Sequence, residues 1–259
     1  MHLKETSAVV LAVKSHGEID KIATFYGRET GKLTGIAKGA QRSRVRFVNK
    51  LELFSLLEIS YEESRSSGLV RIDQAELLRP FSCIRQDYAR YAAACLVGEL
   101  VRQWTREADA DPKIFPLLVW VLTAIDAAPA AAEKLNPLVI FFEIKLLGLL
   151  GYRPNLAGCL RCGSLDQAER PYHFSLADSG LLCRTCNRAS RRHSLIPLSL
   201  ATARLLAKAQ DLAITKLSRL KLPPENALEA LNFLNHYSRQ LLQREVHSRE
   251  CLQTILPQS

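Results

Sequence analysis

The chain of 259 residues is 47% hydrophobic and 24% charged, a globular composition long enough to bury a real core in one large domain or two ordinary ones. Thirty-five Lys and Arg stand against 26 Asp and Glu, a formal charge of +9 that is the bias of proteins meeting polyanions, with nucleic acid and anionic membrane the leading partners. Seven cysteines are too few for a disulfide scaffold, and a reducing compartment keeps such residues as thiols or metal ligands.

A membrane span is disfavoured. The longest apolar stretch, Leu138 to Leu150, is too short for a bilayer and carries Glu143 and Lys145, so it reads as a buried helix. At the N-terminus, Lys4 and Glu5 precede a very short apolar run with no small-residue cleavage site after it, and the expected location is the cytosol.

The first 80 residues read as five short strands beginning at Ala8, Lys21, Lys32, Leu51 and Leu69. In the fourth, Leu51, Leu53, Leu57, Ile59 and Tyr61 alternate with Glu52, Glu58 and Glu62, although Phe54 and Leu56 fall on the other face. Gly17, Gly27, Gly31, Gly39 and Ser66-Ser67-Gly68 supply the turns. Five strands in this length fit an OB-fold barrel better than a sandwich, with an SH3-like barrel as the alternative. After Pro80 the period becomes helical, with Tyr88, Tyr91, Ala92, Cys95, Leu96, Val101 and Trp104 on one pattern that breaks at Asp109 to Pro112. Further helices are predicted at Lys113 to Ala127, Pro137 to Leu150, Leu200 to Asp211 and Pro224 to Glu245, two of them opening on proline. Gly151 and Pro154 end the central one, and Ala127 to Glu133 reads as an inter-helix loop. The expected architecture is α+β and multidomain: a five-stranded OB-fold over residues 1–80, then an all-helical domain over 81–259 with an inserted four-cysteine zinc knuckle at about 157–190.

The knuckle rests on Cys159-Leu-Arg-Cys162-Gly163 and, after twenty residues, Cys183-Arg-Thr-Cys186, the spacing of a four-thiolate zinc site. Each Cys-x-x-Cys turn puts two thiolates on one side of a tight loop, and two turns facing each other supply four sulfurs. A hairpin turning at Asp178-Ser179-Gly180 carries the second pair back to the first. A redox dithiol needs only one such pair, and two disulfides are disfavoured by the compartment. With four protein ligands no position remains for an activated water, so one zinc of structural role is expected. His173 and His193 are nearby but read as surface or packing residues. Cys83, Cys95 and Cys251 are scattered and read as packing residues.

Between Arg28 and Lys50 stand seven cations, Arg28, Lys32, Lys38, Arg42, Arg44, Arg46 and Lys50, against one acid, Glu29. On a barrel they fall on one strand and the loop after it, where cations can track a phosphate backbone. Phe25, Tyr26 and Phe47 flank them, either as stacking platforms for bases or as core residues beneath a solvated face. Arg184, Arg188, Arg191 and Arg192 form a second group at the knuckle, as an extension of that surface or as exposed loop residues.

Gly17-Glu18-Ile19-Asp20, GKLTGIAKGAQR from Gly31 to Arg42, and LLGLLGYRPNLAGCLRCG from Leu146 to Gly163 resemble the bacterial recombination mediators of the RecO family, and the likeness runs along most of the chain. The resemblance implies an OB-fold and a helical domain, non-enzymatic binding of single- and double-stranded DNA without sequence preference, and strand annealing. It further implies action with RecR to load RecA onto DNA coated by single-strand-binding protein, whose acidic, apolar C-terminal tail suits a pocket with basic edges. The location implied is the bacterial cytoplasm, at the nucleoid. Lys32, Lys38 and Arg42 fall on the family's basic motif, while Arg28, Arg44 and Arg46 rest on charge. Gln41 stands where the family usually has a cation and Val45 where it often has serine. The competing reading is a protein-interaction adaptor without a direct DNA role. An enzyme is disfavoured, for the sequence shows no Walker loop, nucleophile elbow or spaced His and carboxylate set.

Overall fold

The computed structural model describes residues 3–63, 68–166, 171–188 and 195–253. The chain forms two compact units, Met1–Ala127 and Ala128–Ser259.

In the first unit, β1 (Lys4–His16), β2 (Asp20–Gly27), β3 (Gly31–Ala37), β4 (Leu56–Glu62) and β5 (Val70–Arg79) close into a barrel in the order β1-β2-β3-β5-β4. All neighbours run antiparallel except β3 and β5, which pair in parallel from Gly35↔Val70 to Ala37↔Ile72. That order and that one parallel pairing are the OB-fold arrangement. Alternation fills the interior: Ala8, Val10, Ala23, Phe25, Ala37, Leu57, Ile59 and Tyr61 are buried at period two, and Ile72 and Ala75 join them on either side of a bulge in β5.

The fourth strand starts at Leu56, five residues later than its leucines suggest. Leu51 to Ser55 turn instead, because Phe54 takes a left-handed φ of 69° and buries its ring edge-on to Tyr91, 5.8 Å between centroids. The backbone stays tied to the barrel there, with the Phe54 N–H on the Val10 carbonyl at 2.9 Å and the Val10 N–H on the Ser55 carbonyl at 3.0 Å.

Three helices complete this unit: α1 (Ser82–Gln86), α2 (Tyr88–Trp104) and α3 (Ile114–Ala127). Asp87 caps α2, its carboxylate accepting the Arg90 N–H at 2.9 Å. The buried stripe Ala92, Ala93, Leu96, Val97, Leu100 and Val101 recurs at the spacing of a helix that covers a core on one side.

The second unit is built on α4 (Ala132–Leu149), which packs against α6 (Leu200–Asp211) and α8 (Pro224–Leu242). Between α4 and α6 come β6 (Asn155–Cys159), β7 (His173–Ser175), β8 (Gly180–Leu182), α5 (Arg184–Arg188) and β9 (Leu195–Pro197); α7 (Ile214–Leu217) precedes α8 and α9 (Ser248–Gln253) follows it. α4 begins five residues before Pro137, which lies inside the helix and does not open it. The ring of Pro137 removes one early backbone bond, while Glu133 in the first turn favours the positive end of the helix dipole. Pro224 does open α8, and Gly151, at φ 85°, follows the end of α4. No helix among the described residues is long and apolar enough to cross a membrane.

The expected hairpin is present as β7 and β8, but it belongs to a four-stranded sheet ordered β6-β8-β7-β9. Phe174 of β7 meets Phe233 and Tyr237 of α8 at 4.8 and 5.3 Å between ring centroids, so aromatic packing fastens the sheet to the helices. In this unit Glu143 of α4 is fully buried, accepting from Ser238 Oγ at 2.5 Å and paired with the almost fully buried Arg249 of α9.

Candidate nucleic-acid interface and metal centre

The cations between Arg28 and Lys50 do not form one patch. β3 separates Lys32 from Lys38 by six residues, about 20 Å of extended chain, and the two ends have different surroundings. At the near end, Arg28 lies over the Phe115 ring at 4.9 Å and beside Glu29 at 3.9 Å. The Lys32 side chain is only 17% exposed, its Nζ donating to the Thr105 carbonyl at 2.6 Å and the Arg102 carbonyl at 3.1 Å. A cation at the C-terminus of α2 compensates carbonyls that the helix leaves unpaired.

The segment after α2 then pairs with the edge of β3 at Lys32, which β5 leaves uncovered. The Ala108 N–H donates to the Lys32 carbonyl at 2.9 Å, and Thr34 Oγ1 donates to Glu107 at 3.2 Å. Gly31, at φ 66°, is needed here, since a Cβ would lie 2.2 Å from the Asp109 carbonyl oxygen. Tyr26 sits beneath the same segment, and burial pushes its phenol up to about 12. In an OB-fold the β2–β3 face and the loops after β1 and β4 are the usual ligand surface. Here a strap bearing Glu107, Asp109 and Asp111 lies at the Lys32 end of that face.

The far end is open. Lys38, Arg42 and Arg44 are exposed and, among the described residues, make no ion pair or hydrogen bond through their side chains. Arg46 is a brace: its guanidinium donates to the carbonyls of Lys38 and Asp73, each at 3.3 Å, and lies 3.8 Å from the Asp73 carboxylate. Lys50 donates to the Val45 carbonyl at 3.1 Å. The β1–β2 turn is stitched to the same loop, for Asp20 Oδ1 accepts the Gly39 N–H at 2.8 Å, the Gln41 N–H donates to the Ile19 carbonyl at 2.9 Å, and Gln41 Nε2 donates to the Asp20 carbonyl at 2.8 Å. Asp20 and Gln41 therefore fix the shape of the basic loop. In sequence Asp20 stood out only within the Gly17 to Asp20 motif and Gln41 only as the replacement of a usual cation, and neither signal names the other as a partner. Phe25, Tyr26 and Phe47 are not stacking platforms: all three are buried, Phe25 and Phe47 within the barrel core. Arg184 and Arg188 are exposed on α5, while Arg191, Arg192 and His193 lie outside the described residues.

In the second unit, the sulfurs of Cys159, Cys162, Cys183 and Cys186 all lie within 4.8 Å of one another, with Cys162 and Cys183 at 3.7 Å. Four thiolates 2.3 Å from a tetrahedral zinc stand about 3.8 Å apart, so the set is close enough to hold one metal ion with little adjustment. β6 delivers Cys159 and β8 leads into Cys183. The first turn closes through the Gly163 N–H on the Cys159 carbonyl at 2.8 Å, with Gly163 at φ 72°, and the second through the Asn187 N–H on the Cys183 carbonyl at 2.8 Å. Burial opposes ionisation of Cys159, yet N–H groups of Cys162, Cys183 and Arg161 aimed at its sulfur hold the thiol down at about 6. Cys186 is pushed up to about 12, first by its hydrogen bond with Cys183 and then by burial. His173 is outside this set, its Nδ1 being 3.3 Å from Asn187 Nδ2.

Comparison with known proteins gives this arrangement a lineage. The family model described as recombination protein O N terminal matches residues 1–81, and that described as recombination protein O C terminal matches residues 85–250. The DNA repair protein RecO of Syntrophus aciditrophicus is 30% identical over 251 residues, 97% of this chain and 95% of that protein. Those of Anaeromyxobacter dehalogenans strain 2CP-1 and Myxococcus xanthus are 32% and 34% identical, covering 99% and 96% of this chain and 98% and 96% of theirs. With a closed OB-fold barrel, a basic loop and a four-cysteine cluster all present, the chain belongs to the RecO family of DNA repair and recombination proteins.

Proposed function

We propose that the chain is a non-enzymatic recombination mediator that binds single- and double-stranded DNA without sequence preference, anneals complementary strands, and acts with RecR to load RecA onto DNA coated by single-strand-binding protein. The observation that carries this is the open end of the barrel, where Lys38, Arg42 and Arg44 stand exposed on a loop braced by Asp20, Gln41 and Arg46. Cations without protein partners attract phosphates and release their counterions, which needs no base contact and gives affinity without sequence choice. Arg28 and Lys32, engaged at the strap end, belong to the stability of this surface more than to its contact with DNA.

In this reading residues 1–80 carry DNA binding and residues 81–259 form the helical domain with its knuckle at about 157–190. Cys159, Cys162, Cys183 and Cys186 hold one zinc ion, which supplies a cross-link and no chemistry. The working location is the bacterial cytoplasm, at the nucleoid. A groove of about 550 Å³ in the second unit supports the partner assignment. Leu138, Phe141, Leu217 and Leu222 line it, with Lys134 and Lys221 against the single acid Glu133, and such a groove suits the acidic, apolar tail of a single-strand-binding protein. That groove also favours the second reading, an adaptor that meets only proteins.

Strand annealing separates the two. Complementary oligonucleotides, bare or coated with single-strand-binding protein, are expected to pair faster with the chain than without it. Binding to partner proteins with neither annealing nor a DNA shift at low salt would establish the adaptor instead.

A further inference from the structure

The basic loop carries exposed aliphatic side chains among its cations. Val45 is 77% exposed and Val48 45%, on either side of Arg46 and of Phe47, whose ring plugs the barrel core. Ile19, 42% exposed in the β1–β2 turn, is tied to the same loop by the Gln41 N–H on its carbonyl. Three large apolar residues therefore surface on this loop and the turn tied to it, among Lys38, Arg42 and Arg44, while Phe25 and Phe47 are turned into the core.

We propose that Ile19, Val45 and Val48 form an aliphatic contact for unstacked bases, which makes this surface prefer single-stranded over duplex DNA. The inference rests on the reading of the loop as the DNA surface and adds a substrate class to it. Phosphate contacts alone favour the duplex, whose charge is denser along its axis and which releases more counterion per contact, so a preference for the single strand needs a contact to the bases. Duplex DNA hides its base faces in the stack, whereas a single strand exposes apolar faces that can pack on side chains held beside its phosphates. Apolar wedges that partly unstack a duplex show that aliphatic side chains pack on base faces once these are freed, at a cost in unstacking that a single strand largely avoids. A membrane is the less suitable partner, for residues 38–55 form turns and not the amphipathic helix that would lie in a lipid interface.

Binding of a labelled oligodeoxythymidine and of a duplex with the same number of phosphates tests this in three proteins: the parent, Val45→Ser with Val48→Ser, and Lys38→Glu with Arg42→Glu. The serine pair is expected to weaken single-strand binding about fivefold, the scale of one or two half-buried aliphatic side chains. Duplex affinity and the slope of affinity against salt should stay as in the parent, because no counterion contact is lost. Val45→Trp, at a site exposed enough to tolerate it, is expected to show indole quenching by the single strand and none by the duplex. Unchanged single-strand affinity, equal loss on both forms, or valine-dependent sedimentation with anionic vesicles would overturn the base contact. If the charge-reversed pair binds both DNAs as the parent does, the fault lies with the loop as DNA surface and not with the valines alone.

Discussion

Anaerobically purified protein is expected to contain one zinc per chain, and Cys159→Ser is expected to release it and unfold the knuckle. The sequence supplies two Cys-x-x-Cys turns, and the fold brings their sulfurs within 4.8 Å, joining the β6 turn to the segment after β8. β6 and β8 are linked through few registered pairs, Asn155↔Gly180 and Cys159↔Leu181, and β7, β8 and β9 have three residues each. Strands of that length are marginal without support. Structural zinc in small domains contributes about 10–16 kcal/mol of apparent binding free energy at neutral pH, so its loss should outweigh any single contact here. The helices α4, α6 and α8 keep their own core, with Ile140, Phe142, Leu206, Ala230 and Leu234 all buried. Far-UV circular dichroism should therefore fall little while proteolysis opens residues 155–188. Metal-free protein with unchanged melting and unchanged protection of that segment would contradict the assignment.

The next largest loss is expected from Arg249→Met. Glu143 and Arg249 are both buried and paired, and Ser238 Oγ bonds the same carboxylate oxygen. Deleting the guanidinium leaves a carboxylate in an apolar interior with one hydroxyl for company. Removing one partner of a buried pair costs about 3–5 kcal/mol, which in a chain of this size lowers the melting temperature by roughly 10 °C or more. Arg249 also fastens α9 to α4, so the helix should detach. Replacing both partners, as Glu143→Leu with Arg249→Met, should recover much of the loss, because the desolvation penalty disappears with the charge. Urea midpoints for the single and double variants decide the matter; a single variant as stable as the parent would show that the pair does not support the fold.

Neither of these features was equally visible in the sequence. The cysteines announce themselves, since metal spacing is local and short. Glu143 appeared only as a charge that argued against a membrane span, because its partner lies 106 residues further on. The barrel was legible through five short apolar runs, the alternation of the fourth from Leu57 to Glu62, and its Gly-rich turns. What failed was local: the alternation from Leu51 looks like a strand, yet one left-handed residue, Phe54, breaks it. β6 and β9, at five and three residues, are too short for a period to appear. The change of period at Pro80 coincides with the end of β5 at Arg79.

The basic segment was legible as composition and misleading as geometry. Counting cations from Arg28 to Lys50 ignores that a strand carries its ends about 20 Å apart. It also ignores what lies over them: the strap from Thr105 to Asp111 is polar, irregular and distant in sequence, and no pattern links it to Lys32. The three aromatics flanking the cations are core because strand alternation turns Phe25 inward and because Tyr26 lies beneath the strap, a distinction that proximity along the chain conceals.

The most direct measurement is the salt dependence of oligonucleotide binding by the parent, by Lys38→Glu with Arg42→Glu, and by Lys32→Met. Parent affinity is expected to fall steeply between about 50 and 200 mM salt. The charge-reversed pair should lose most of that affinity, with a slope shallower by roughly two contacts. Lys32→Met should melt at a lower temperature and keep its slope, since that amine serves the end of α2. Equal binding by the charge-reversed pair and the parent, or loss of slope in Lys32→Met alone, would contradict a DNA surface at the open end of the barrel.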